Sequence, residues 1–165
     1  QDEEKVIGNP IKEKLLKSGF DNIFNDRKEF TWMHAADFFW TLDISNVKVK
    51  PDLEILHQPT VDYICKRFNK YFSHPKLLSV MTAGLFESIL KHFKSSTDDL
   101  EKISKLSAKQ VMILSGHDVT ILSILHALKS NLAHQPGYWP SLGSWIMFEL
   151  LVDDNDKKYI KIEID

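Results

Sequence analysis

The chain is poor in the residues that would tie it to several common classes of protein. It has one cysteine, Cys65, in 165 residues, so no internal disulfide can form. It has no Asn-x-Ser/Thr sequon. Together these give a secretory compartment no support. No apolar run reaches the roughly 20 residues of a membrane span, and no secretory leader pattern is visible. Net charge is -2, from 21 basic and 23 acidic residues, which gives no support to a nucleic-acid-binding surface. Only two of the basic residues are arginine, Arg27 and Arg67. Arginine is the usual bidentate clamp on phosphate, so a phosphate site built from this chain alone lacks its best ligand. The chain opens on Gln1-Asp-Glu-Glu4 without an initiator methionine, which leaves the nature of that end open.

What is present is enough for a real core. Hydrophobic residues make up 43% of the chain and aromatic residues 11%, which argues against disorder. Ile11, Leu15, Leu16 and Phe20 predict a short amphipathic helix ended at or soon after Gly19. Trp32, Ala35, Ala36, Phe38, Phe39 and Trp40 predict a second, largely buried helix over 30–42. Val61, Ile64, Cys65, Phe68, Tyr71 and Phe72 have the i, i+3, i+4, i+7 spacing of a helix face. Pro75 starts another helix, in which Gly84 suggests close packing or a bend. Residues 95–109 read as a polar surface crossing with a short helical turn.

The character then changes. Residues 111–114 form a short apolar run suited to a buried strand, and Asp118 opens a broadly apolar helix predicted to reach about Leu132. Residues 134–143 are a proline- and glycine-punctuated loop. Residues 145–152 and 159–165 read as two strands of a hairpin around the Asp153-Asp-Asn-Asp156 turn. In the second strand Ile160, Ile162 and Ile164 alternate with Lys161, Glu163 and Asp165, which predicts one wet face. The expected fold class is therefore α/β: a helical subdomain over 1–109, then a strand-helix-strand-strand unit over 110–165. Three strands and one helix make a thin core, so the unit reads as part of a larger sheet.

The chemistry concentrates at Ser115-Gly-His-Asp118. A strand, a glycine and a helix start place His117 and Asp118 where a helix N-terminus offers free N–H groups to an anion. An imidazole can attack or contact a phosphoryl group, and a neighbouring carboxyl group can protonate a leaving alkoxide. The bland reading stands beside this one: Asp118 as a helix N-cap bonded to the N–H of Thr120 or Ile121, and His117 as a turn residue. His34, His57, His74, His92, His126 and His134 show no metal-ligand spacing, and His126 reads as a packing or surface residue. The four tryptophans, Trp32, Trp40, Trp139 and Trp145, read as core or rim residues rather than a ligand box.

Ser115-Gly-His-Asp-Val-Thr120, after an apolar strand and before a leucine-rich helix, resembles the second signature of the histidine acid phosphatases, a branch of the histidine phosphatase superfamily. Pro140-Ser-Leu-Gly-Ser-Trp-Ile-Met-Phe-Glu-Leu150 is similar to that family's final Pro-to-Glu-Leu strand, and Lys158-Tyr-Ile-Lys-Ile-Glu163 to its partner strand. Met81-Thr-Ala-Gly-Leu-Phe-Glu-Ser-Ile-Leu90 is similar to a helix of its helical subdomain. The resemblance covers about residues 30–165 and is specific around 111–150. It implies a partial phosphoglycerate-mutase-like α/β sandwich and a metal-free, cofactor-free phosphohistidine mechanism on a phosphate monoester. His117 would contact the phosphoryl group and Asp118 would protonate the leaving group.

The family's nucleophile sits in an Arg-His-Gly motif that this sequence does not contain. The expectation is thus a chain lacking the first part of the fold and inactive alone. The alternative is a phosphatase-like interaction subunit whose partner protein completes the sheet. A third possibility is a metal-dependent phosphohydrolase of the HD type. It fits poorly, because there the His-Asp pair lies within a helix. The resemblance favours a secretory or lysosomal route, against the single cysteine and the missing sequons.

Overall fold

A computed structural model describes residues 3–20, 30–103 and 111–165. Arg27 and the 104–109 part of the predicted polar crossing lie outside the described residues. The fold is mixed α/β and mostly helical, with a two-stranded antiparallel sheet. It divides into two compact units, Gln1–Lys70 and Tyr71–Asp165, and the change of composition near residue 109 falls inside the second.

The first unit is built on aromatic packing. A π-helical turn at Glu4–Gly8 leads into α1 (Asn9–Lys17), which closes at Gly19 with φ of 79°. A left-handed residue two positions past the helix end is where glycine is favoured, as the sequence predicts. Thr31 caps α2 (Trp32–Ser45), its hydroxyl accepting the His34 N–H at 3.2 Å. The short α3 (Pro51–Glu54) and the long α4 (His57–Phe72) follow. Leu15, Ala35, Ala36 and Phe39 are fully buried, and Leu53, Leu56, Val61, Ile64 and Cys65 nearly so.

Gly8 is where α4 approaches the N-terminal turn. A Cβ there would lie 2.6 Å from the Tyr63 hydroxyl, so no other residue fits without displacement. Trp32 packs on Tyr63 at 4.4 Å between ring centroids. Glu4 accepts from Arg67 at 2.7 Å and from Trp32 Nε1 at 3.4 Å, and Glu3 pairs with Lys66 at 2.5 Å. Arg67 is thereby committed to the fold of this unit rather than to a ligand.

In the second unit, α5 (Pro75–Ile103) packs against α6 (Asp118–Ala127). It also meets the sheet through an edge-to-face contact of Phe86 with Phe148, 6.4 Å between centroids. Strands β1 (Ile146–Val152) and β2 (Lys158–Ile164) pair in the register Ile146↔Ile164 to Val152↔Lys158. Asp153 sets the turn by accepting the N–H groups of Asn155 and Lys157, both at 2.9 Å.

Four expectations change. The helix predicted to stop near residue 95 continues as α5 to Ile103, because charged and small polar residues do not by themselves break a helix. α6 ends at Ala127, not near Leu132. Lys129 turns left-handed (φ 55°), Ser130 N–H caps the Leu125 carbonyl, and a 3₁₀ turn follows at Asn131–His134. A Cβ at Gly84 would meet no described atom within 4 Å, so the close packing suggested there is not seen. Residues 111–117 belong to no helix or strand and make no ladder with any described residue.

The apolar residues of this part are not covered. Ile113 is 89% exposed and Val111 78%. In the hairpin, Ile160 and Ile162 on one face are as exposed as Tyr159 and Leu151 on the other. Beyond the Phe86 contact, no described element forms a second layer over the sheet, so the face predicted to be dry is only partly covered.

Candidate functional site

The site lies at the start of α6. His117 adopts extended backbone (φ -99°, ψ 164°) and holds the N-cap position. Its carbonyl accepts the N–H groups of Thr120 at 2.9 Å and Ile121 at 3.2 Å, and its own N–H donates to Thr120 Oγ1 at 3.3 Å. The cap is thus His117, and Asp118 is the first helical residue. The N-cap role considered for Asp118 does not hold.

The same bonds correct a second expectation. The Val119 N–H donates to Asp118 Oδ1 at 2.7 Å. The Val119, Thr120 and Ile121 amides are therefore already engaged, and the helix end does not offer a row of free N–H groups. Recognition of an anion here would rest on the side chains and on the helix dipole rather than on a backbone cradle. Gly116 keeps the approach tight: a Cβ on it would stand 3.3 Å from Thr120 Cβ.

His117 is exposed and Asp118 half-buried, so both are within reach of a ligand. Asp118 Oδ2 accepts the indole N–H of Trp139 at 2.6 Å. Trp139 reaches it from the loop after the 3₁₀ turn, next to the buried Pro140. The sequence places Trp139 only as a core or rim residue. No local pattern in the sequence marks this bond, because the partners stand 21 residues apart.

Behind the site, Leu122, Ser123, Leu125 and His126 are buried and fix α6. The His126 ring meets Phe72 at 5.5 Å and His134 at 4.9 Å. Burial holds its imidazole pKa below the ordinary value, with the neighbouring His134 adding to the effect. His126 is thus a packing residue, as its place on the helix predicts.

One other polar grouping and a buried thiol lie in the first unit. His57 Nε2 stands 3.1 Å from Asp43 Oδ2, and its ring stacks on Phe39 at 5.0 Å, beside a cavity of about 210 Å³. Lys48 and Glu54 line the same cavity, so its charge has no consistent sign. Burial pushes the Cys65 thiol up to about 12, which makes it inert. Among the described residues no group of three His, Cys, Asp or Glu could hold a metal ion, and no helix is long and apolar enough to cross a membrane.

Comparison with known proteins returned no matching family model, curated protein or solved structure.

Proposed function

We propose that this chain carries the proton-donor half of a phosphomonoester hydrolase of the histidine acid phosphatase type, within a partial phosphoglycerate-mutase-like sandwich. The observation that carries the reading is the His117–Asp118 pair, accessible at the N-terminus of α6 and preceded by an exposed apolar run that no described strand covers. A nucleophilic imidazole and cationic side chains would come from polypeptide outside these 165 residues. That imidazole attacks phosphorus, the P–O ester bond breaks, and the Asp118 carboxyl group gives its proton to the departing alkoxide. Water then cleaves the P–N bond, and the carboxylate takes up a proton. His117 donates to the phosphoryl oxygens where negative charge develops. No metal or cofactor takes part in this scheme.

The 165-residue chain alone should not turn over p-nitrophenyl phosphate, because nucleophile and acid act as a unit. A longer natural polypeptide containing it should do so, and His117→Ala there should lower kcat by about two orders of magnitude or more. Turnover by the 165-residue chain that His117→Ala abolishes would show that no outside nucleophile is needed.

A second reading is a non-catalytic subunit whose partner protein completes the sheet. The exposed apolar run at 111–114 favours it. A partner that co-purifies with the natural protein and protects these amides from hydrogen exchange, in the absence of any phosphatase activity, would favour this reading over the first.

A further inference from the structure

We infer that Trp139 is a positioning residue for Asp118, holding the carboxyl group in one rotamer for proton delivery. The inference rests on the reading of Asp118 as the proton donor, but its structural half stands without it. The two carboxyl oxygens are held by two different donors: Oδ1 by the Val119 N–H at 2.7 Å and Oδ2 by the Trp139 indole N–H at 2.6 Å. Two bonds on separate oxygens fix both the plane and the χ angles of a short side chain. The backbone bond is local and moves with the helix. The indole is the only one of the two that ties the carboxyl group to a distant segment.

An indole N–H is a donor and never an acceptor. It can orient the carboxyl group but cannot take the proton from it. Each carboxyl oxygen retains a lone pair, so the proton on Asp118 has the leaving-group oxygen as its recipient rather than the tryptophan. Trp139 is itself half-buried and is followed by the buried Pro140, which restricts the loop backbone that presents it.

The test has two arms. In the 165-residue chain, the Trp139 indole N–H resonance should lie downfield in a proton–nitrogen correlation spectrum. It should move upfield in Asp118→Ala and stay in place in His117→Ala. A resonance that ignores Asp118→Ala overturns the inference. In the natural protein, Trp139→Phe should act according to the leaving group. The kcat for glycerol phosphate, whose alkoxide must be protonated, should fall about tenfold, against about twofold for p-nitrophenyl phosphate, with KM held in both cases. Equal losses on the two substrates would make Trp139 merely structural and overturn its positioning role. Absence of activity in the wild-type natural protein would overturn the phosphatase reading, while the indole resonance still decides whether Trp139 holds Asp118. If Trp139→Phe fails to fold, the leaving-group comparison is made with Trp139→Tyr.

Discussion

The two units use similar side chains to opposite effect. In the first, Phe39, Leu15 and the α2 alanines are fully buried, and ion pairs from Glu3 and Glu4 pin the N-terminal turn to α4. In the second, α6 is equally well covered on its inner face, yet the apolar run that leads into it and the hairpin beyond it are open to water. Apolar content alone does not make a core. A helix buries its stripe against any neighbouring helix, whereas a strand needs partners for its backbone and a layer on each face. The second unit has the helix neighbours but lacks the strand partners among the described residues.

The sharpest way to break this contrast is to truncate one residue from each class. Phe39→Ala should cost roughly 3–5 kcal/mol in urea unfolding, as expected for a sealed aromatic side chain. Ile113→Ala, which removes a similar kind of side chain at 89% exposure, should change stability by no more than about 0.5 kcal/mol. A large loss at Ile113 in the chain alone would mean that the segment is covered after all.

The buried histidine of α6 offers a second handle. Folding holds its imidazole pKa below the ordinary 6.5. Below that pH the unfolded chain takes up the proton before the folded chain does. The folded state therefore loses stability as pH falls from about 6.5 through the depressed value, and is unaffected above it. Thermal unfolding followed from pH 8 to pH 5 should show this slope, and His126→Gln should flatten it. A slope unchanged in the variant would place the acid sensitivity elsewhere.

Smaller effects sharpen the comparison further. Cys65, sealed in α4 with its thiol near 12, should resist a thiol reagent in the native chain and react fully in denaturant. Rapid native labelling would show that the first unit opens readily. On the exposed sheet, Lys161 pairs with Glu149 at 3.2 Å and Glu163 at 2.6 Å. Lys161→Ala should leave the melting temperature where it is, because exposed ion pairs are screened.

Much of this is legible in the sequence. The helix over 30–42, the helix from Pro75, the hairpin and its Asp153 turn each follow from local patterns of spacing, prolines and turn residues. His117 and Asp118 stand out for the same reason: a glycine and a helix start give them a recognisable local setting. The 111–114 run was harder to place, since its apolar pattern describes what the segment needs and not whether a partner is there. The role of Trp139 is not legible there, because its partner is 21 residues away and no local pattern records that bond.

The sequence by itself determined the helices, the hairpin and the position of the His-Asp pair, because short-range hydrogen bonding and side-chain periodicity are properties of neighbouring residues. Tertiary structure alone decided that the first-turn amides of α6 are already engaged, that an indole holds Asp118, and that the apolar run before it lies bare. Those outcomes depend on which distant groups come within bonding distance, and that is a matter of packing in three dimensions.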